Sequence, residues 1–104
     1  MLILSMVFTS CAHRKEMARR NTVMITVTAD GSSFERAIFI TETQETPGIH
    51  AEYAWIKDKY PGYKLRSQSL SYYNRKPYDI IHITTADGTD RDIYFDISNF
   101  YGKF

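Results

Sequence analysis

Residues 78–98 read Tyr78-Asp79-Ile80-Ile81-His82-Ile83-Thr84-Thr85-Ala86-Asp87-Gly88-Thr89-Asp90-Arg91-Asp92-Ile93-Tyr94-Phe95-Asp96-Ile97-Ser98. In the second half of this stretch Ile93, Phe95 and Ile97 alternate with Asp92, Tyr94 and Asp96. A period of two puts one set on a buried face and the other in solvent, the pattern of a half-buried β-strand. Residues 78–85 carry Ile80, Ile81 and Ile83, and Asp87-Gly88 between the two runs is a hairpin turn signal. Pairing Ile83 with Ile93 and Ile81 with Phe95 keeps both apolar sets on one face. This register predicts His82 opposite Tyr94, Thr84 opposite Asp92 and Ile80 opposite Asp96.

Upstream, residues 63–73 form a long polar strand candidate containing Ser67-Gln68-Ser69-Leu70-Ser71, and Asn74-Arg75-Lys76-Pro77 turns the chain back. Such a strand offers little to a core and belongs at a sheet edge. Before it, Thr46 and Pro47 predict a helix start, with Thr as N-cap and Pro at the first helical position. Ile49, Tyr53, Ile56 and Tyr60 fall on one helical stripe, which Ala51 and Trp55 widen, until Tyr60-Pro61-Gly62 ends it. Earlier still, Val23, Ile25 and Val27 alternate within residues 22–28. Ala29-Asp30-Gly31-Ser32-Ser33 turns, and residues 34–41 return as a second strand to complete a hairpin. Thr28-Ala29-Asp30-Gly31 and Thr85-Ala86-Asp87-Gly88 share one turn chemistry. The expected class is α+β, with one helix on one face of a twisted antiparallel sheet of four to five strands, order β-β-α-β-β-β.

The 104 residues are enough for a single domain, here residues 22–104. A hydrophobic content of 43% with 24% charged residues excludes a disordered or low-complexity chain. The net charge of +1 is uneven: Arg14, Lys15, Arg19 and Arg20 stand against Glu16 alone, and the rest of the chain is weakly acidic. That is not the broad basic footprint of a nucleic-acid binder. The single cysteine, Cys11, excludes an internal disulfide and a CxxC zinc pair.

Residues 1–8 are an apolar run too short to span a bilayer, followed by Thr9 and Ser10 and then Cys11. Phe8-Thr9-Ser10-Cys11 resembles a bacterial lipoprotein lipobox. The resemblance implies that residues 1–11 are a signal peptide and that Cys11 is lipidated, with residues 12–21 as a basic tether near an anionic leaflet. The lipoprotein reading implies an outer-membrane or periplasm-facing location, and Ala12 after the cysteine, rather than Asp, implies outer-membrane sorting in an enterobacterium-like host. A buried free cysteine on a first strand is the alternative.

Residues 48–104, a helix followed by antiparallel strands, resemble a PepSY-type module. The residues carrying that resemblance are Asp87-Gly88, then Ile93-Tyr94-Phe95-Asp96, then Gly102-Lys103. It implies a secreted or membrane-anchored bacterial protein with an inhibitory or binding role, and it carries no catalytic residue with it.

Chemistry-bearing residues are sparse. His13, His50 and His82 have no ligand neighbours at metal spacing, and His50 and Glu52 face apart on a helix. No metal or cofactor is expected. His82 near carboxylates of the last strand is the one arrangement suited to a general base. The polar strand instead suggests a docking edge, with Ser67, Ser69, Ser71, Tyr72 and Tyr73 as partner-binding residues and Ser69→Pro as its probe. The expected function is a non-catalytic, lipid-anchored binding module of the bacterial cell envelope with a protein or peptide partner. A small envelope hydrolase using His82 is the alternative from another class. A purely structural domain, sealed by Phe100, Tyr101 and Phe104, is the third.

Overall fold

The computed structural model describes residues 28–103. Its elements are β1 (Ile38–Phe39), α1 (Glu45–Lys59), β2 (Lys64–Tyr73), β3 (Lys76–Thr84) and β4 (Asp90–Asp96). The fold is α+β, one helix on a four-stranded mixed sheet of order β1-β4-β3-β2. Cys11, the tether at residues 12–21, most of the strand expected at residues 22–28, and Phe104 lie outside the described residues.

The first hairpin is corrected. Residues 34–41 contribute only the two residues of β1, and these pair parallel with β4, Ile38 with Phe95 and Phe39 with Asp96. The reason is local. The Gly31 N–H donates to the Arg36 carbonyl at 2.7 Å, and the Arg36 and Ala37 N–H groups donate to Ser33 and Phe34. Those bonds curl the segment on itself and use backbone groups a longer strand would need. What remains lies along β4: the Tyr94 N–H donates to the Gly31 carbonyl and the Ile40 N–H to the Asp96 carbonyl.

Helix α1 begins earlier than expected. Gln44 is the N-cap in extended conformation, and Thr46 and Pro47 lie inside the first turn. The Glu45 N–H, which would have no partner within the helix, donates to the Lys103 carbonyl at 2.8 Å. The C-terminal turn thus caps the helix, and Thr46 is not needed for it. The same turn seats Phe100, fully buried, against Gly48.

The hairpin from β2 to β3 turns on two residues, Asn74 and Arg75, both left-handed with φ of 49° and 64°. That is the turn whose twist matches flanking antiparallel strands. The register of β3 with β4 is corrected by two residues. Ile81 pairs with Ile93, Asp79 with Phe95, His82 with Asp92 and Thr84 with Asp90. The cause is closure of the turn at Thr85 and Thr89, where the Thr85 N–H donates to the Thr89 carbonyl at 2.8 Å. Asp87 accepts from the Thr85 hydroxyl and the Thr89 N–H, tightening the loop to three residues. A slip of two residues keeps every side chain on its face, so the apolar alternation does not detect it.

The core joins Ile56 of α1 to Ile81, Ile83, Ile93 and Phe95 of the sheet, with Ile40, Ile97 and Phe100 at one end. Trp55 meets Phe95 edge-on, ring centroids 5.8 Å apart. On the opposite face Phe34 stacks on Tyr73 at 4.4 Å and packs edge-on against Tyr78 and Tyr94.

Candidate functional site

Two places in the described residues carry chemistry, the outer face of the sheet around His82 and the free edge at β2.

The corrected register sets His82 across from Asp92 on β4 and from Ser67 on β2. His82 Nδ1 lies 2.6 Å from Asp92 Oδ1. A carboxylate only accepts, so Nδ1 carries the proton in this contact. Beside this pair, Arg66 Nε donates to Thr84 Oγ1, and that hydroxyl donates to Asp90 Oδ1 at 2.9 Å. The row resembles a base held by a carboxylate. Its surroundings are an open sheet face: His82 is about a third exposed and Asp92 half exposed. Among the described residues no side-chain hydrogen bond joins Ser67 to His82. A cleft of about 360 Å³ borders Asp92 from the β4 side, between Asp30, Lys59, Tyr60 and Arg91.

Strand β2 ends the sheet opposite the edge that residues 31–40 cover. In a two-residue hairpin the flanking pair, Tyr73 with Lys76, exchanges both backbone hydrogen bonds, and bonded and non-bonded pairs then alternate along the ladder. Tyr73, Ser71, Ser69 and Ser67 therefore turn their N–H and C=O groups inward to β3. Those of Tyr72, Leu70 and Gln68 point out from the edge. The same alternation across β3 sends the Pro77 carbonyl toward β4, where it accepts from the Ile97 N–H at 3.2 Å.

Side chains follow the same alternation. Ser67, Ser69, Ser71 and Tyr73 stand on the outer face, the side of Tyr78 and His82. Tyr73 is held there by its stack on Phe34 and by its hydroxyl, which donates to Glu35 Oε2 at 2.7 Å. That bond holds the Glu35 carboxyl below its ordinary range. Gln68, Leu70 and Tyr72 stand on the helix side, beyond the reach of α1 except where the Tyr53 hydroxyl donates to Gln68 Oε1 at 2.8 Å. Leu70 is 46% exposed and Tyr72 60%, and the Tyr72 ring meets Tyr101 edge-on. Of the residues expected to bind a partner, Tyr72 thus stands apart from the other four. Leu70 was missed because a lone leucine among serines carries no sequence signal of exposure.

Glu52 was also missed. It lies midway between Gly48 and Ile56 on the buried face of α1, is 0% exposed, and neither carboxyl oxygen has a hydrogen-bond partner among the described residues. Burial, and then the Asp79 carboxyl of β3, push its pKa up to about 10, so it is held protonated at neutral pH. The spacing of 48, 52 and 56 is the signal that could have found it.

No group of three or more His, Cys, Asp or Glu side chains suited to a metal ion occurs among the described residues, and no helix there is long and apolar enough to cross a membrane. No protein-family model matches the chain, and no curated protein or solved structure shows significant similarity to it.

Proposed function

We propose that the protein is a lipid-anchored binding module of the bacterial cell envelope, PepSY-like in its second half, with Cys11 as the acylated residue and residues 12–21 as the tether. The observation that carries the binding role is the asymmetry of the sheet. Among the described residues one edge is covered by residues 31–40, while a ten-residue strand, β2, is left along the other. Open strands of that length are a liability unless something pairs with them. The reading keeps residues 22–28 as a fifth strand, on the strength of their β-branched alternation alone.

Metabolic labelling with a fatty acid tests the anchor. The wild type should incorporate label and fractionate with membranes, and Cys11→Ala should do neither; equal labelling of both overturns the anchored reading.

A second reading, a small envelope hydrolase, is favoured by the His82–Asp92 contact at 2.6 Å. It requires a hydrolytic activity of the wild type that His82→Ala abolishes with little change in the thermal midpoint. Activity that survives His82→Ala removes it.

A further inference from the structure

Resting on the binding role proposed above, we infer that the β2 edge takes up an extended acidic peptide segment as an added strand, hydrogen-bonded to Gln68, Leu70 and Tyr72. Three observations converge on this occupant. The first is the ladder at the end of the described sheet, where the N–H and C=O groups of these three residues point away from β3 and no other described strand pairs with them. The second is charge. Lys64 and Arg66 stand at one end of the strand and Arg75 and Lys76 at the other, with Lys76 3.9 Å from Asp96 and Glu35 against Tyr73 on the outer face, and no Asp or Glu occurs between Asp58 and Asp79 in the strand itself. The third is the apolar surface that the same edge carries on the helix side. Leu70 and Tyr72 stand exposed there, with Tyr101 against Tyr72.

In strand addition the main-chain bonds supply affinity, and alternate side chains of the ligand supply specificity. An added strand here sets every second side chain over Leu70 and Tyr72, which calls for apolar residues. Its two ends meet cations, which calls for carboxylates. A second copy of this chain fits the edge poorly. Antiparallel self-pairing sets Lys64 and Arg66 of one copy beside Arg75 and Lys76 of the other, and parallel self-pairing stacks like on like.

The full chain is titrated with a synthetic peptide of about ten residues, two glutamates at each end and alternating Thr and Val between. Controls are the same peptide with Gln for Glu, and vesicles of phosphatidylglycerol and phosphatidylcholine. On binding, the amides of Gln68, Leu70 and Tyr72 should slow in hydrogen exchange, while those of Ser67, Ser69 and Ser71 stay as they were. Leu70→Pro, which removes an outward donor, should weaken binding by about tenfold or more, and Leu70→Ala, which keeps it, by much less. Raising the salt should weaken binding of the acidic peptide.

The inference is overturned by equal binding of the Gln peptide, or by vesicle binding without peptide binding. Unchanged exchange at the three outward amides also overturns it. So does protection of those amides before any peptide is added, whether by residues 22–28 of the same chain or by a dimer seen in sedimentation. The exchange measurement on the wild type decides the question even if Leu70→Pro fails to fold. Failure to label Cys11 would remove the anchor and leave this result standing; an edge that binds nothing would leave the anchor standing.

Discussion

Glu52 of α1 and Asp79 of β3 meet between helix and sheet, two carboxyl groups in the space that the neighbouring Ile56 and Ile81 fill with hydrocarbon. Burial disfavours the charged form of Glu52, and a second carboxyl beside it disfavours that form further.

The pair makes stability fall as pH rises. In the unfolded chain Glu52 releases its proton near its ordinary value of 4.5, whereas in the fold it holds it to about 10. Between these values the unfolded state binds fewer protons, so stability is greatest at the acid end of the window. It falls by up to about 1.4 kcal/mol per pH unit above it. Glu52→Gln, neutral throughout, should flatten the decline, with a higher thermal midpoint than the wild type at pH 8 and little difference at pH 5. Parallel midpoint curves for the two proteins would show that Glu52 does not carry the effect.

At the acid end the sign reverses. Asp30 is held below its ordinary pKa by the Ser32 hydroxyl and N–H, Glu35 by the Tyr73 hydroxyl, and Asp87 by the Thr85 hydroxyl. Their contribution is complete above the ordinary carboxylate range and is lost as pH falls through the lowered values. Protection of the amides in the turn at residues 85–89 should fall once pH drops below the ordinary carboxylate range, and Asp87→Asn should lower it already at pH 6.

Arg75 sits at φ of 64°, where a side chain crowds the backbone. Arg75→Gly should stabilise the domain by about 0.5–1 kcal/mol, because Asn-Gly is the favoured pair for this turn. A lower denaturation midpoint would mean that the Arg75 side chain holds something the turn needs.

Gly48 lies in α1 with the Phe100 ring where its Cβ would be. Helix propensity alone favours alanine by about 1 kcal/mol. Overpacking a rigid ring in the core opposes it by about 1–3 kcal/mol. Gly48→Ala should therefore destabilise, and urea unfolding gives the sign directly.

The two prolines on β2 should differ. Ser69→Pro removes an N–H that bonds to β3 and should cost about 1 kcal/mol or more beyond Leu70→Pro, whose N–H faces solvent. Equal destabilisation, read from thermal melts of the two variants, would show that the ladder does not alternate as the Asn74-Arg75 turn requires.

For α1, β2, β3 and β4 the sequence by itself determined helix or strand, and for β3 and β4 also which face turns inward. The alternation of Ile93, Phe95 and Ile97, and the stripe from Ile49 to Ile56, are properties of neighbouring residues. Side-chain direction repeats every 2 residues in a strand and every 3.6 in a helix whatever lies opposite. The polar composition of residues 63–73 likewise marked an edge, since a strand with so little to bury has no place in the middle of a sheet.

What only the tertiary structure decided depends on groups far apart in the chain. The Lys103 carbonyl set the helix start at Glu45, ahead of Thr46. The closure of Thr85 on Thr89 chose one of two registers equal in apolar pattern, and so gave His82 its Asp92. The curl at residues 31–37 turned a predicted hairpin partner into a short parallel strand covering β4. Phase along β2 came from the two-residue turn at its end, which sends the backbone groups of Leu70 and Tyr72 outward and those of the serines inward. Glu52 is buried because its neighbours on the helix face are, against the preference of its own charge. In each case the deciding energy lies in a contact between segments, and no local pattern of side chains encodes it.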